Sequence, residues 1–243
     1  MLLGCLSLYA ADNDLITRQI TITLEKAGTL PDRIASSKKN KITNLKIIGE
    51  INGTDLKMIR EMAGSNSNGN STDGKLSVLD LSEAKIVKGG DCYLNNGYDY
   101  TSNDVIGSRA FLGCSGLTSL TLPADITSIG DEAFQGCSGL TSIYVYAEKV
   151  PKIDSNAFKG VDAKKCTVYV PMGTRDDYCA SDFGDYFENI VEFEATGIDK
   201  TTTSTDVEEV VRYSVNGQRL SAPTKGLNIV KYSYGSVKKV AVR

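Results

Sequence analysis

Residues 106–127 read IGSRAFLGCSGLTSLTLPADIT, and residues 129–150 read IGDEAFQGCSGLTSIYVYAEKV. Phe111 and Phe134, Gly113 and Gly136, Cys114 and Cys137, and Leu117 and Leu140 all stand 23 residues apart. A degraded third copy, IDSNAFKGVDAKKCTVYV, starts at Ile153. A fixed period of this length marks a solenoid, because one such unit is too small to bury its own apolar face and must stack on a neighbour. Function in a chain of this kind is sought on a repeated surface rather than in one deep pocket.

The spacing apolar-x-x-apolar-x-apolar recovers more copies. It appears as ITNLKI at 42–47, LSVLDL at 76–81, LTSLTL at 117–122, LTSIYV at 140–145 and, degraded, AKKCTV at 163–168. This is the strand signature of leucine-rich repeats. The last two apolar positions face the core and the residues between them face outward, since side chains alternate along a strand. The fold class it predicts is α/β, a leucine-rich-repeat solenoid of parallel strands with short helices and loops. The early copies are more widely spaced, so they carry insertions. The first insertion predicts a helix over Thr54–Met62. Gly53 or Thr54 caps it, Asp55 suits its N-terminal dipole, and Leu56, Ile59 and Met62 form one stripe. A helix over Pro31–Ser37 and an alternating strand over Arg18–Leu24 complete an N-terminal cap. The polar run GSNSNGNSTDG at 64–74 reads as a mobile loop.

The second insertion, Lys88–Asp104, is rich in Tyr, Gly, Asn and Asp and holds Tyr93, Tyr98 and Tyr100. Tyrosine offers large amphipathic contact area at low entropic cost, so the loop is a candidate for recognising a partner. Packing of the same rings back onto the solenoid is the alternative. Asp91, Asp99 and Asp104 match no calcium-loop spacing.

The chain has 243 residues, 41% of them hydrophobic, and a net charge of −3. That length suits one large domain, or a medium one with a small partner. No basic block is large enough to suggest nucleic acid. Histidine and tryptophan are both absent. The missing histidine removes the usual general base, the commonest transition-metal ligand and the usual pH switch. There is no phosphate loop, nucleophile elbow or metal signature, and Asp176-Asp177 and Glu208-Glu209 read as solvated charge. An enzyme therefore ranks last, with no catalytic residue, metal or cofactor expected. Of the six cysteines none forms a C-x-x-C pair. Cys114 and Cys137 share a repeat position, so stacking brings them to about 5 Å, within reach of a disulfide. Ladder side chains point in parallel, which favours free buried thiols.

Residues 1–11 read as the remnant of an export signal. Leu2-Leu3-Gly4-Cys5 has the shape of a lipobox, making a lipid on Cys5 the one expected membrane attachment; cleavage near Ala10 or an ordinary N-terminus are the other readings. Residues 12–195 form the capped solenoid. Its end, Tyr169–Phe193, holds a turn at Pro171-Met172-Gly173, a short helix and a last strand at Asn189–Phe193. Residues 196–206 are a linker. Residues 207–243 make a small β module, with strands near 210–215, 227–231 and 237–242 and turns at Asn216-Gly217, Lys225-Gly226 and Tyr234-Gly235.

The units IGSRAFLGCSGLTSLTLP and IGDEAFQGCSGLTSIYV resemble the repeat of the BspA-like leucine-rich-repeat proteins, surface and secreted proteins of Bacteroides-type bacteria. The resemblance runs from about Ile20 to Phe193, through the flanking segments LSVLDLSEAKIV and VYVPMGTRDDY. The third unit departs from the pattern at Val161, where Cys is expected, and at Ala163, where Leu is expected. The tail YSVNGQRLSAPTKGLNIVKYSYGSVKKVAVR resembles the sorting tails of Bacteroidetes secreted proteins. These resemblances imply display at the cell surface and adhesion, often to host matrix proteins, without naming a ligand.

An offset of 23 aligns the outward positions in three rows: Ser119, Ser142 and Lys165; Thr121, Tyr144 and Thr167; Pro123, Tyr146 and Tyr169. Tyr146 and Tyr169 are then neighbours, with Tyr144 one pleat away. These three tyrosines, with Tyr93, Tyr98 and Tyr100 of the loop, are the predicted partner-binding residues. The expected partner is a host or bacterial surface protein, with a glycan as the alternative. Exposed strand positions also favour aromatic residues without any ligand.

Overall fold

The computed structural model describes residues 15–194, 209–214, 219–220, 225–232 and 237–242. The readings at 1–11, the lipobox Cys5 and the linker 196–206 lie outside them. The chain divides into two units, Met1–Thr196 and Gly197–Arg243.

In the first unit the N-terminal region contributes β1 (Ile20–Leu24), α1 (Leu30–Arg33), α2 (Ser36–Lys39), β2 (Asn44–Ile51), α3 (Gly53–Met62) and β3 (Val78–Ile86). The repeats follow with β4 (Val105–Ile106), β5 (Ser119–Thr121), β6 (Ser128–Ile129), β7 (Ser142–Tyr144), β8 (Lys152–Ile153) and β9 (Thr167–Pro171). The unit ends with α4 (Arg175–Cys179), α5 (Asp182–Tyr186) and β10 (Asn189–Phe193). Seven strands form one parallel sheet in the order β1-β2-β3-β5-β7-β9-β10. A second sheet of three short parallel strands, β4-β6-β8, closes each coil on the other side of the core.

Between the two sheets run the repeat phenylalanines. Phe111 and Phe134 stack at 5.2 Å and Phe134 and Phe158 at 5.1 Å, with planes within 9° of parallel. All three are buried. At the C-terminal end the packing turns perpendicular: Phe187 meets Phe158 edge-on at 5.0 Å and 74°. A crossed ring cannot be repeated by translation, so Phe187 ends the stack. The glycines of the GCSGL turn have two roles. Gly113 and Gly136 sit at φ of 73° and 75°, a region costly for residues with a Cβ. A Cβ on Gly139 would lie 2.5 Å from the Ser115 carbonyl oxygen of the preceding coil.

In the coils around Phe111 and Phe134, backbone N–H groups donate to carbonyls one coil further on: Arg109 to Asp131, Phe111 to Ala133 and Gly113 to Gln135. The equivalent carbonyls of the first coil belong to Ser108, Ala110 and Leu112, with no earlier coil to serve them. Two side chains from the insertions supply the donors. The Tyr93 hydroxyl donates to the Ser108 carbonyl at 2.8 Å. The Arg60 guanidinium donates to Ala110 and Arg109 at 2.9 Å each, and to Leu112 at 3.2 Å. It also reaches the Asn66 carbonyl and the Ser65 hydroxyl. Buried backbone acceptors need partners, and here an arginine and a tyrosine replace a missing coil.

Several expectations shift in detail. The cap of α3 is Asn52, neither Gly53 nor Thr54. Asn52 has extended backbone, its side chain accepts from Thr54 N at 3.0 Å, and Asp55 accepts from Asn52 N at 2.9 Å, a reciprocal capping box. The same Asp55 carboxylate takes the amides of Gly28 and Leu30, stitching the β1–α1 turn onto α3. The helix expected over 31–37 is two turns, α1 and α2, broken at extended Ile34 and Ala35. Cys114, Cys137 and Cys166 are free and buried. Burial pushes the Cys114 thiol up to about 12 and Cys166 up to about 11.

In the second unit, β11 (Glu209–Ser214), β12 (Arg219–Leu220), β13 (Gly226–Tyr232) and β14 (Val237–Val242) form an antiparallel sheet in the order β12-β11-β13-β14. Strand β12 adds to the three expected there.

Candidate partner-binding surface

The outward face of the seven-stranded sheet carries one unbroken row. Strand register pairs Thr21 with Lys46, Lys46 with Asp80, Asp80 with Thr121, Thr121 with Tyr144, Tyr144 with Tyr169, and Tyr169 with Val191. This corrects the alignment based on a constant period. From β7 to β9 the offset is 25, because Ser142 pairs with Thr167. One extra residue falls between Tyr144 and Ile153, and another between Phe158 and Thr167. Tyr169 therefore stands beside Tyr144, not Tyr146, and the inward ladder is Leu120, Ile143 and Val168, not Cys166.

Tyr144 and Tyr169 stack at 4.4 Å with planes 9° apart. Phe193 meets Tyr144 at 5.7 Å and 87°, and Tyr146 at 5.0 Å and 80°. The three predicted tyrosines thus form one half-buried cluster, joined by an aromatic residue that the sequence reading passed over. Phe193 is detectable by laying NIVEF on the template of TVYVP, with which it pairs in register. Two strands away lies charge. Lys46 Nζ sits 2.6 Å from Glu83 and 3.5 Å from Asp80, a triad with one uncompensated negative charge. The bond to Glu83 is the first cause of a raised Lys46 pKa. Burial raises the Tyr146 hydroxyl; the Asp80 charge adds to that shift and the Lys46 charge opposes it.

The loop tyrosines separate. Tyr93 is 1% exposed and spends its hydroxyl on Ser108, so it supports the loop from within. Tyr98 is 86% and Tyr100 51% exposed. The loop between them is internally tied: the Asn96 side chain accepts from Tyr98 N and Asp99 N and donates to the Asp99 carboxylate, which also faces Arg109 at 3.6 Å. Tyr93→Phe should cost about 1–2 kcal/mol in thermal or denaturant unfolding, the loss of one buried hydrogen bond with an unsatisfied carbonyl left behind. It should leave partner binding unchanged.

Among the described residues no cluster of three or more Cys, Asp or Glu is placed to hold a metal, and no helix is long and apolar enough to cross a membrane. A leucine-rich-repeat fold is what these sheets and stacked coils define. Residues 104–201 match the family model described as BspA type leucine rich repeat region (6 copies), about two fifths of the chain. The repeat segment is BspA-like, and such repeats generally serve as protein-interaction scaffolds rather than enzymes, in proteins that are usually surface-borne or secreted. No curated protein matches the chain.

Proposed function

We propose that this protein is a non-enzymatic, adhesin-like interaction protein, exported to the cell surface or beyond, that binds a protein partner through the strand face. The observation that carries the reading is the cluster of Tyr144, Tyr146, Tyr169 and Phe193, half-buried on a sheet face whose inward side is core. Aromatic anchors grouped in this way concentrate binding energy at protein interfaces. The ring arrangement favours protein over glycan. A sugar stacks flat on a free ring face, whereas Tyr144 and Tyr169 turn faces to each other and Phe193 stands across two rings. The internally bonded loop bearing Tyr98 and Tyr100 offers a second contact surface. Residues 207–243 are read as a separate β module of the sorting type, in keeping with export by a Bacteroides-type cell.

Replacing Tyr144, Tyr146 and Tyr169 together by Ser should weaken binding at least tenfold, since losing one anchor commonly costs about 1–2 kcal/mol. The full chain and the triple variant would be applied to printed extracellular-matrix proteins and glycans, with circular dichroism and melting measured beside them. Equal binding by both proteins with native spectra would move the site to the Tyr98–Tyr100 loop.

A further inference from the structure

The seven-stranded sheet has two edges, β10 and β1, and they are treated differently. In β9, Tyr169 turns its carbonyl to β7, where it accepts from Val145 N. Backbone groups alternate in direction along a strand, so Val168 serves β10 and Ile190 points to the free edge. That edge is closed: Arg175 Nε donates to the Ile190 carbonyl at 3.1 Å, and the strand carries the charge of Glu192. Charge and bonded side chains are common means of blocking further strand pairing.

Strand β1 has neither device. Its sequence, ITITL over Ile20–Leu24, holds no charge and no proline, and Thr21 and Thr23 are exposed. Among the described residues nothing bonds to its outer side. A Cβ on Gly49 would lie 2.3 Å from the Leu24 carbonyl oxygen, so Leu24 turns its backbone groups toward β2. By the same alternation, the N–H and C=O groups left open at the edge are those of Thr21 and Thr23.

These open groups match a second copy of the same strand. With two β1 strands antiparallel about a twofold axis at Ile22, Thr21 of one copy and Thr23 of the other exchange both N–H···O bonds. Ile22 then faces Ile22, and Ile20 faces Leu24, on the core side, while threonine faces threonine on the outer side. A slide of one residue sets open backbone groups against closed ones and turns the side chains to the wrong face. A slide of two sets Arg18 against Leu24, or Lys26 against Ile20, a charge on an apolar group. Only the register centred on Ile22 pairs like with like, and a contact of that symmetry closes on itself.

We propose that the chain forms a symmetric homodimer by antiparallel pairing of β1 with β1 of a second copy, joining two sheets into one. The outward faces lie on the same side of the joined sheet, so the dimer presents two aromatic clusters. The contact is smaller than a standard interface of about 1,600 Å², so the dimer is weak. It does not depend on which partner the strand face binds.

The test is sedimentation equilibrium of the full chain, with dissociation in the micromolar range expected. Thr21→Lys with Thr23→Lys sets lysine against lysine across the axis and should weaken the dimer at least tenfold, since like charges directly opposite repel. Thr21→Glu with Thr23→Glu should do the same. Mixed in equal amounts, the two variants should pair at least as tightly as the parent. Both positions are exposed, so melting curves should match the parent. A parent that stays monomeric into the submillimolar range overturns the proposal; if removing residues 1–14 then allows dimers, the chain's own N-terminal segment is what covers the edge. A dimer indifferent to the lysine variant overturns it by placing the contact elsewhere. So does a mixture of folded lysine and glutamate variants that fails to pair.

Discussion

Replacing Arg60 with methionine should destabilise the repeat unit by about 3–5 kcal/mol, in the range seen when one partner is removed from a buried charged network. Arg60 is fully buried, and its guanidinium serves the carbonyls of Arg109, Ala110, Leu112 and Asn66. Each buried acceptor left bare costs about 1–3 kcal/mol. The sum is reduced because methionine also removes the cost of burying a charge, which already lowers the Arg60 pKa. Arg60→Lys should recover only part of the loss, since an ammonium cannot fork across three carbonyls. Denaturant unfolding measures both variants. A methionine variant as stable as the parent would show that water serves these carbonyls equally well.

Phe134→Ala should cost about 3–5 kcal/mol, the usual range for a buried phenylalanine. Phe134 is the middle ring of the stack, so truncation strips a contact from Phe111 and another from Phe158. The damage should therefore spread to both neighbouring coils, because stability in a repeat array lies largely in its interfaces. Hydrogen exchange would show amides near Phe111 and Phe158 opening together with those near Phe134. An unchanged melting curve would remove Phe134 from the core.

These two residues mark what was legible in the sequence. The phenylalanine stack, the parallel sheet and the inward leucines follow from periodicity, because each coil repeats one environment and so one residue type. Arg60 did not stand out. Its role is to end the period, and a residue that replaces an absent coil has no counterpart to align with. The same reasoning applies to Asn52, which caps α3 by reciprocal bonds with Asp55 rather than by position alone. On the candidate surface the three strand tyrosines were identified, but their arrangement was not. Two single-residue additions, each absorbed in a turn, move Tyr169 from beside Tyr146 to beside Tyr144. Phe193 was missed because it sits in the capping strand, outside the repeat pattern. Among the loop tyrosines, spacing alone could not distinguish Tyr93, which turns inward, from Tyr98 and Tyr100, which do not.

The hydrogen-bond ladder beside the phenylalanine stack has a direction. Its amides reach forward, and its first carbonyls are closed by groups that occur once, Tyr93 and Arg60. The two kinds of end are therefore not interchangeable, yet neither makes demands on the number of coils between them. A 23-residue unit gained or lost in the middle would leave both ends chemically intact while changing how many strands separate the charged triad from the aromatic cluster. Chains with more or fewer coils would then share a fold and caps but present strand faces of different span.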